Sequence, residues 1–422
     1  MLWALGVGYV ISGMYFGWNL GLVHAGPFGF LAATLIVTVL YVSFVMSYAE
    51  LSCAIPRAGG AFIYAQRALG PRWGFFAGAA QWVEFVFAMP AIAAAIGAYL
   101  GEFYPAISPH VFAAGAYVVF TLLNILGVKQ SAVFELCITV VAVFELLIFA
   151  GVTLPHFSWA AFSSDALPSI GWWGIFPAIP YAIWFYVCIE GIANVAEESR
   201  DPQKDLARGF GTAMVTLVVL AVLVFFSAVG VAGWKAIVFE PGGAMSDRPL
   251  PLAIRQVIGQ SHVLYRLLVG VGLCGLVASF HGIMLAGSRA TFEFGRVGYA
   301  PGWVGRLDAR RGTPVAALLV NMVIGFLALA TGATQQIITM AIFGALTMYI
   351  ISIFALFRLR KAEPDLHRPY RTPFYPWVPT VALVLSVMSL LAMVVFHTTI
   401  ALAFVVLLLL GYAFFRRFYR QV

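Results

Sequence analysis

Charge is scarce in this chain: Asp, Glu, Lys and Arg make up 10% of its 422 residues. Soluble domains carry about a quarter charged residues, so a water-soluble globular protein of this length is excluded. Cysteine is scarce as well. Cys53, Cys137, Cys188 and Cys274 lie scattered in apolar segments without disulfide or metal-ligand spacing, and read as small packing residues. Lys and Arg are missing from the middle of the long apolar runs. Phosphate-binding loops, zinc motifs and hydrolase triads are also missing, and most connections are too short to hold a soluble catalytic domain.

What the chain does have is apolar sequence, with 62% hydrophobic residues and a mean hydropathy of +0.96. Runs of about twenty apolar residues recur from end to end, the pattern of a polytopic helical membrane protein. We place spans at 2–24, 28–52, 73–101, 110–128, 134–154 and 171–195. The others fall at 207–233, 262–287, 313–332, 335–358, 375–396 and 398–415. The first run lacks a basic n-region and a second span follows at once, so it reads as a span rather than a signal peptide. It starts without a polar tail, and the numbering is expected to begin inside a longer natural chain.

Basic residues sort the connections into two sets. Lys235, Arg248, Arg255 and Arg266 fall on one side. The other holds the rest, among them Arg57, Arg67, Arg72, Lys129, Arg200, Lys204, Arg289, Arg310, Arg311, Arg358, Lys361 and Arg416. The positive-inside rule then places both termini in the cytoplasm, and it accounts for the net charge of +7 without nucleic acid. Residues 234–261 form the longer outer connection, with a short amphipathic helix expected. Residues 288–312 form the longer inner one, and PRAGGAFIYAQRALGP (56–71) predicts a short inner helix or re-entrant element.

Two spans are built to come apart. GVGYVISGMYFGWN (6–19) carries Gly6, Gly8, Ser12, Gly13 and Gly17 inside one run. Each glycine costs about 1 kcal/mol in a helix interior, although such spacing also suits close packing. The sixth span, IPYAIWFYVCIEGIANVAEE (179–198), has Pro180 early and Glu190–Gly191 in mid-run. Interrupted segments at matching places in two halves point to a binding site made of discontinuous helices. The expected break in span six lies at Glu190–Gly191.

These stretches give the chain a family resemblance. GVGYVISGMYF (6–16), PRAGGAFIYAQRALG, NILGVKQSA (124–132), AEESRDPQKDL (196–206) and SRATFEFGRVGYAP (288–301) with RGTPVAALL (311–319) stand in order along nearly the whole chain. Together they resemble motifs of the amino acid–polyamine–organocation transporter superfamily. AQWVEFVFAMPAIAAAIGAYL (80–100), VVAVFELLIFAGV (140–152) and GLVASFHGIMLAGSR (275–289) look most like the ethanolamine permeases. The resemblance implies an all-α fold of twelve transmembrane helices. Its core would be a five-plus-five inverted repeat (1–154 and 171–358) with helices 1 and 6 discontinuous, followed by two extra helices (375–415). It also implies import of a small amine across the bacterial inner membrane, with spans one, two, six and seven rocking against three, four, eight and nine.

Two departures bear on the cargo. The superfamily's usual glycine–serine–glycine nest is here Ser12–Gly13–Met14. A methionine narrows it, which suits an amino-alcohol lacking a carboxylate, unless Met14 points elsewhere. Ala142 stands where several proton-coupled relatives carry a lysine, with Glu145 one turn later. Coupling must then use a carboxylate, a histidine or sodium.

An ionisable group in mid-membrane costs at least about 2.5–3.5 kcal/mol when charged and unpaired, so each is a functional candidate. Glu84, Glu145, Glu190 and His281 qualify. Glu190 is either the ligand of a substrate ammonium, a proton-linked gate, or a cap for the amides of the first break. Glu84 either pairs with the ammonium or is a protonated structural group. Glu145, Glu190 and His281 are the proton-coupling candidates. Tyr15, Trp18, Trp184, Phe185 and Tyr186 supply aromatic faces for cation–π binding, with packing as the alternative for each, and Tyr349 is a weaker candidate. Trp184 matches a gate position of the superfamily. The backbone from Trp184 through Val187 to Cys188 offers carbonyls, and Ser12, Glu84 or His281 a partner for a hydroxyl.

The expectation is thus a secondary transporter of ethanolamine or a close small amine in the lipid bilayer, without cofactor or metal. The coupling ion is a proton or sodium. The alternatives are a proton-coupled amino acid permease or exchanger and, in another class, an amine-binding sensor that moves nothing.

Overall fold

The computed structural model describes residues 1–57, 59–127, 132–164, 171–199 and 201–418. Lys129 and Arg200, counted above among the inner basic residues, lie outside them. The described chain is all helical apart from one isolated bridge between Phe239 and Met245.

The first span is interrupted. Helix α1 (Leu2–Val10) gives way at Ile11 to a single turn, α2 (Ser12–Tyr15). Phe16 is then extended, Gly17 has φ +87, and a 3-10 stretch over Trp18–Gly21 leads into α3 (Leu22–Ala54). Gly26, at φ +62 before Pro27, kinks α3 where the second span begins, because proline removes a donor and disfavours a helical residue before it.

The expected inner helix follows as α4 (Ala61–Leu69), then α5 (Pro71–Phe103), α6 (Pro109–Ile125), α7 (Ala132–Thr153) and the short α8 (Trp159–Phe162). The sixth span starts as α9 (Ile175–Ile183), unwinds through Trp184–Cys188 and resumes as a 3-10 stretch over Ile189–Glu198. Next come α10 (Pro202–Ala232) and the outer connection, which holds α11 (Lys235–Val238) and α12 (Pro249–Ile258). The chain ends with α13 (Val263–Arg296), α14 (Val315–Ala330), α15 (Thr334–Ala362), α16 (Trp377–Phe396) and α17 (Thr398–Phe418).

Among the described residues eight helices are long and apolar enough to cross a membrane, and Leu2–Tyr15, Pro109–Ile125 and Val315–Ala330 are shorter apolar helices. With the interrupted sixth span they account for all twelve predicted runs. Helix α5 lies at the centre, packed on α15 and α13. Most of α5 is buried inside the protein, whereas α17 faces outward with side chains such as Leu402 and Leu410.

Polar contacts collect at the two ends of the bundle. At the basic end, buried Glu50 of α3 accepts two hydrogen bonds from Arg360 of α15 (2.7 and 2.6 Å). It also accepts one from the Thr372 amide (2.7 Å) and pairs with Arg368 at 3.3 Å. Arg67 bridges to Glu363 at 2.6 Å. At the opposite end Arg248 pairs with Glu102 of α5 and with Glu240 (2.8 Å), and the Tyr265 hydroxyl donates to Glu102 (2.6 Å). The Thr334 hydroxyl donates to Asp247 (2.9 Å), while Asn19, just past the first break, donates to the carbonyls of Ser246 (2.9 Å) and Ile237 (3.3 Å). The outer connection is therefore tied down over the break in the first span. Burial pushes the Asp247 carboxyl up to about 6 despite the Thr334 hydrogen bond. Burial would do the same to Glu240, but Arg248 and Ser246 outweigh it and hold that carboxyl below its ordinary range.

Candidate functional site

The two breaks meet backbone to backbone. A Cβ on Gly13 would stand 2.2 Å from the Trp184 carbonyl oxygen, so only glycine permits the approach. One on Gly17 would strike the Trp184 indole at 2.5 Å. This contact also relocates the break in span six. Instead of opening at Glu190–Gly191, the α-helix stops at Ile183, and Cys188 takes a left-handed conformation with φ +72. A non-glycine residue there is strained, a feature that concentrates at functional sites. Met14, expected either to narrow the first-span nest or to point elsewhere, is buried, and its amide donates to the Ile11 carbonyl (2.9 Å).

Unwinding frees main-chain groups, and one of them finds a carboxylate. The Cys188 amide donates to Glu84 Oε1 of α5 (3.2 Å). Glu190 Oε2 accepts from the Tyr349 hydroxyl of α15 (3.2 Å), which in turn shares a hydrogen bond with Tyr41 of α3 (2.9 Å). One ligand atom each from Glu84, Cys188 and Glu190 lie within 4.8 Å of one another. Both carboxylates are fully buried and within hydrogen-bond reach of each other, and Glu84 Oε2 and Glu190 Oε1 meet no donor but a proton shared between the two carboxyls. No described Lys or Arg forms an ion pair with either. Two anions this close in a low-dielectric chamber require a cation or a shared proton. The thiol and carboxylates together form a set able to hold a monovalent cation.

The aromatic candidates separate into groups. Tyr186 is hydrogen-bonded to Thr38 (2.7 Å), with its ring 5.2 Å from that of Tyr41. Phe44 stacks on Tyr349 at 3.9 Å between ring centres. Trp184 meets Phe16 edge-on at 5.5 Å, its buried indole N–H unpartnered. Trp18 and Phe185 stack on each other (5.5 Å) in a cluster with Phe30 and Phe225, and Trp18 donates to the Met14 carbonyl (3.1 Å). That pair is packing. Val187 is buried within the unwound stretch.

The remaining candidates stand elsewhere. Ser12 accepts from Ser279 of α13 (2.8 Å), which ties the first break to that helix. Tyr15 donates to Glu145 of α7 (2.8 Å) and approaches the Ala142 carbonyl (3.1 Å), so Glu145 reads the first break from outside the Glu84–Glu190 pair. His281 is buried beside Phe120 (5.8 Å between rings), and neither ring nitrogen has a partner.

Sequence reading missed Tyr41 and Thr38, which look like packing residues in an apolar run, and Glu135 of α7. Both Glu135 oxygens are buried and unpartnered, and one would lie 2.4 Å from a Cβ on Gly8. It also passed over Gln81 and Asn194. For Gln81 the spacing was a signal: it precedes Glu84 by three residues on the α-helix α5, so the two share a face, whereas the 3-10 winding of Ile189–Glu198 gives Asn194 and Glu190 no such relation.

Comparison with known proteins supplies the frame for this geometry. A family model described as "Amino acid permease" matches residues 2–415. A transporter of Rhizobium meliloti, described as uncharacterized, is 29% identical over 91% of this chain and 83% of its own length. A branched-chain amino acid permease of Bacillus subtilis is 24% identical over 92% of this chain and 85% of its own. A probable GABA permease of Pseudomonas aeruginosa is 25% identical over 91% of this chain and 83% of its own.

Proposed function

The chain belongs to the amino acid permease family and is a multi-pass membrane transporter rather than an enzyme, and from that premise we propose that its cargo is ethanolamine or a closely related small primary amine. The observation that carries this reading is the Glu84–Glu190 pair: two buried carboxylates that face each other beside an unwound backbone, with only a shared proton or a cation to relieve their repulsion. A zwitterion's carboxylate would call on free amides at the first break, and the Met14 amide there is already spent on the Ile11 carbonyl. An ammonium between Glu84 and Glu190 satisfies both oxygens, with Tyr41, Tyr186 and Tyr349 as its aromatic wall.

The two halves, 1–154 and 171–358, are inverted repeats in this reading. Spans one and two of the first repeat and six and seven of the second rock together against spans three, four, eight and nine. Both termini face the cytoplasm of a bacterial inner membrane, as the basic connections suggest. Glu145 carries the coupling proton: through Tyr15 it touches the first break, so its charge state biases the same backbone that shapes the chamber. Glu190 and His281 are the other groups able to take that role.

A second reading, a proton-coupled amino acid permease, is favoured by the printed names of the Bacillus and Pseudomonas relatives. Reconstituted uptake separates the two. Labelled ethanolamine and a panel of amino acids are offered to proteoliposomes under separately imposed proton and sodium gradients. Saturable ethanolamine uptake supports the amine reading. Uptake of amino acids that ethanolamine does not compete with refutes it, and binding without flux would indicate a sensor.

A further inference from the structure

One helical turn from the carboxylate pair, toward the basic end, lies a second polar group that the amine reading leaves unused. Tyr48 of α3, Gln81 of α5 and Asn194 of span six are 0%, 3% and 6% exposed. Gln81 Nε2 and Asn194 Oδ1 lack a hydrogen-bond partner, and the Tyr48 hydroxyl beside them has only the Ala61 amide. Two orphaned polar atoms in one buried place are a standing cost, because each forfeits its hydration without replacement.

The three atoms cluster around Gly60. A Cβ on Gly60, which has φ +51, would stand 2.8 Å from the Tyr48 hydroxyl, 3.0 Å from Asn194 Oδ1 and 3.5 Å from Gln81 Nε2. No two of the three therefore lie more than about 6.5 Å apart, close enough for one small polar group beside the Gly60 backbone to reach them. The Gly60 backbone thus closes a cradle that any side chain there would fill. Gln81 and Asn194 also line a cavity of about 320 Å³ toward the basic end, with Gly59, Phe62, Arg289 and Glu293 among its walls. The cradle therefore sits between the carboxylate pair and that cavity. The rise from Glu84 to Gln81 is about 4.5 Å along α5, comparable to the reach of a two- or three-carbon amino-alcohol.

The chemistry of the cradle is specific. An amide N–H donates, an amide oxygen accepts and a phenol does either. A hydroxyl group answers all three: it accepts from Gln81, donates to Asn194 and bonds Tyr48 in either sense. We propose that Tyr48, Gln81 and Asn194 form an exit-side subsite that takes the hydroxyl, or an equivalent neutral hydrogen-bonding end, of the cargo as it leaves for the basic side. The inference rests on the reading of Glu84–Glu190 as the ammonium site, and it deepens that reading by naming what recognises the other end.

The test uses pairs of probes that differ only in a hydroxyl: ethanolamine against ethylamine, and serine against alanine. Counterflow in proteoliposomes gives the transport ratio within each pair for the wild type, Gln81→Met and Asn194→Leu. Thermal melting and size-exclusion profiles check that each variant folds. A site built to hydrogen-bond a hydroxyl discriminates strongly against its absence. The wild-type ratio should favour the hydroxylated member, and each variant should lower it roughly 5- to 50-fold. A wild-type ratio near one in the pair that is carried overturns the subsite. So does a ratio unmoved in a folded variant, which would leave the cradle holding an ordered water only. If serine and alanine are carried while both amines are refused, the amine reading fails, and the serine-to-alanine ratio still decides the cradle. A wild type that carries neither pair refutes both.

Discussion

Replacing Glu84 by glutamine removes one negative charge while keeping the oxygen that accepts from the Cys188 amide at 3.2 Å. The unwound segment of span six should therefore hold its shape, and the loss should fall on the cargo. Gross Coulomb attraction between an ammonium and a carboxylate about 4 Å apart is about 4 kcal/mol at an effective dielectric of 20. After desolvation the net value of a charged hydrogen bond is about 1.5–3 kcal/mol. Ethanolamine affinity should then fall roughly 10- to 150-fold. Glu190→Gln should cost a similar factor. The double variant should cost less than the product of the two, since both groups serve one cation and couple through it. Competition against labelled ethanolamine in proteoliposomes reads the affinity, and thermal melting confirms the fold. An unchanged half-saturation in folded Glu84→Gln would refute the pairing, as would strictly multiplicative losses in the double variant.

Gly13→Ala drives a methyl into the Trp184 carbonyl 2.2 Å away. It should separate the two breaks, lower the melting temperature by the equivalent of about 1–3 kcal/mol and abolish flux; full uptake in the variant would show that the breaks do not need to touch. Asp247, pushed up to about 6 when the outer connection covers it, should return toward its ordinary 3.8 on exposure. The covered arrangement then binds the extra proton, so it gains stability as pH falls through 6 toward 4 and gains nothing above about 7. Hydrogen exchange over residues 234–258, corrected for intrinsic pH effects, should show protection rising from pH 7 to 5. Asp247→Asn should flatten that slope, and an equal slope in the variant would exclude Asp247 as its source.

Apolar length alone located the spans, because a bilayer sets the length of any helix that crosses it. The interruptions were legible too, through glycines that no uninterrupted helix needs. Their placement was not. Ile183 ends the α-helix because the Gly13 backbone of another span arrives at Trp184, a tertiary contact without local signature. Glu84 and Glu190 were conspicuous as acids in apolar runs, but that they face each other depends on how α5 meets the unwound stretch. Trp18 and Phe185 looked like cation-binding faces, and the fold spends them on each other. Tyr41 and Tyr48 are chemically indistinguishable from packing tyrosines until their hydroxyls are seen against Tyr349 and Gly60.

Glu50 gathers Arg360, Arg368 and the Thr372 amide at the foot of α3. From Pro27, past the kink, to Glu50 that helix is a rod of about 35 Å. A rod clamped at its foot to α15, itself packed on central α5, is freest to swing at its far tip, beside the Gly26–Pro27 kink. Glu50 is thus placed as a fulcrum: a tilt of a few degrees about it would carry that tip about 2–3 Å while the clamped end stays almost still.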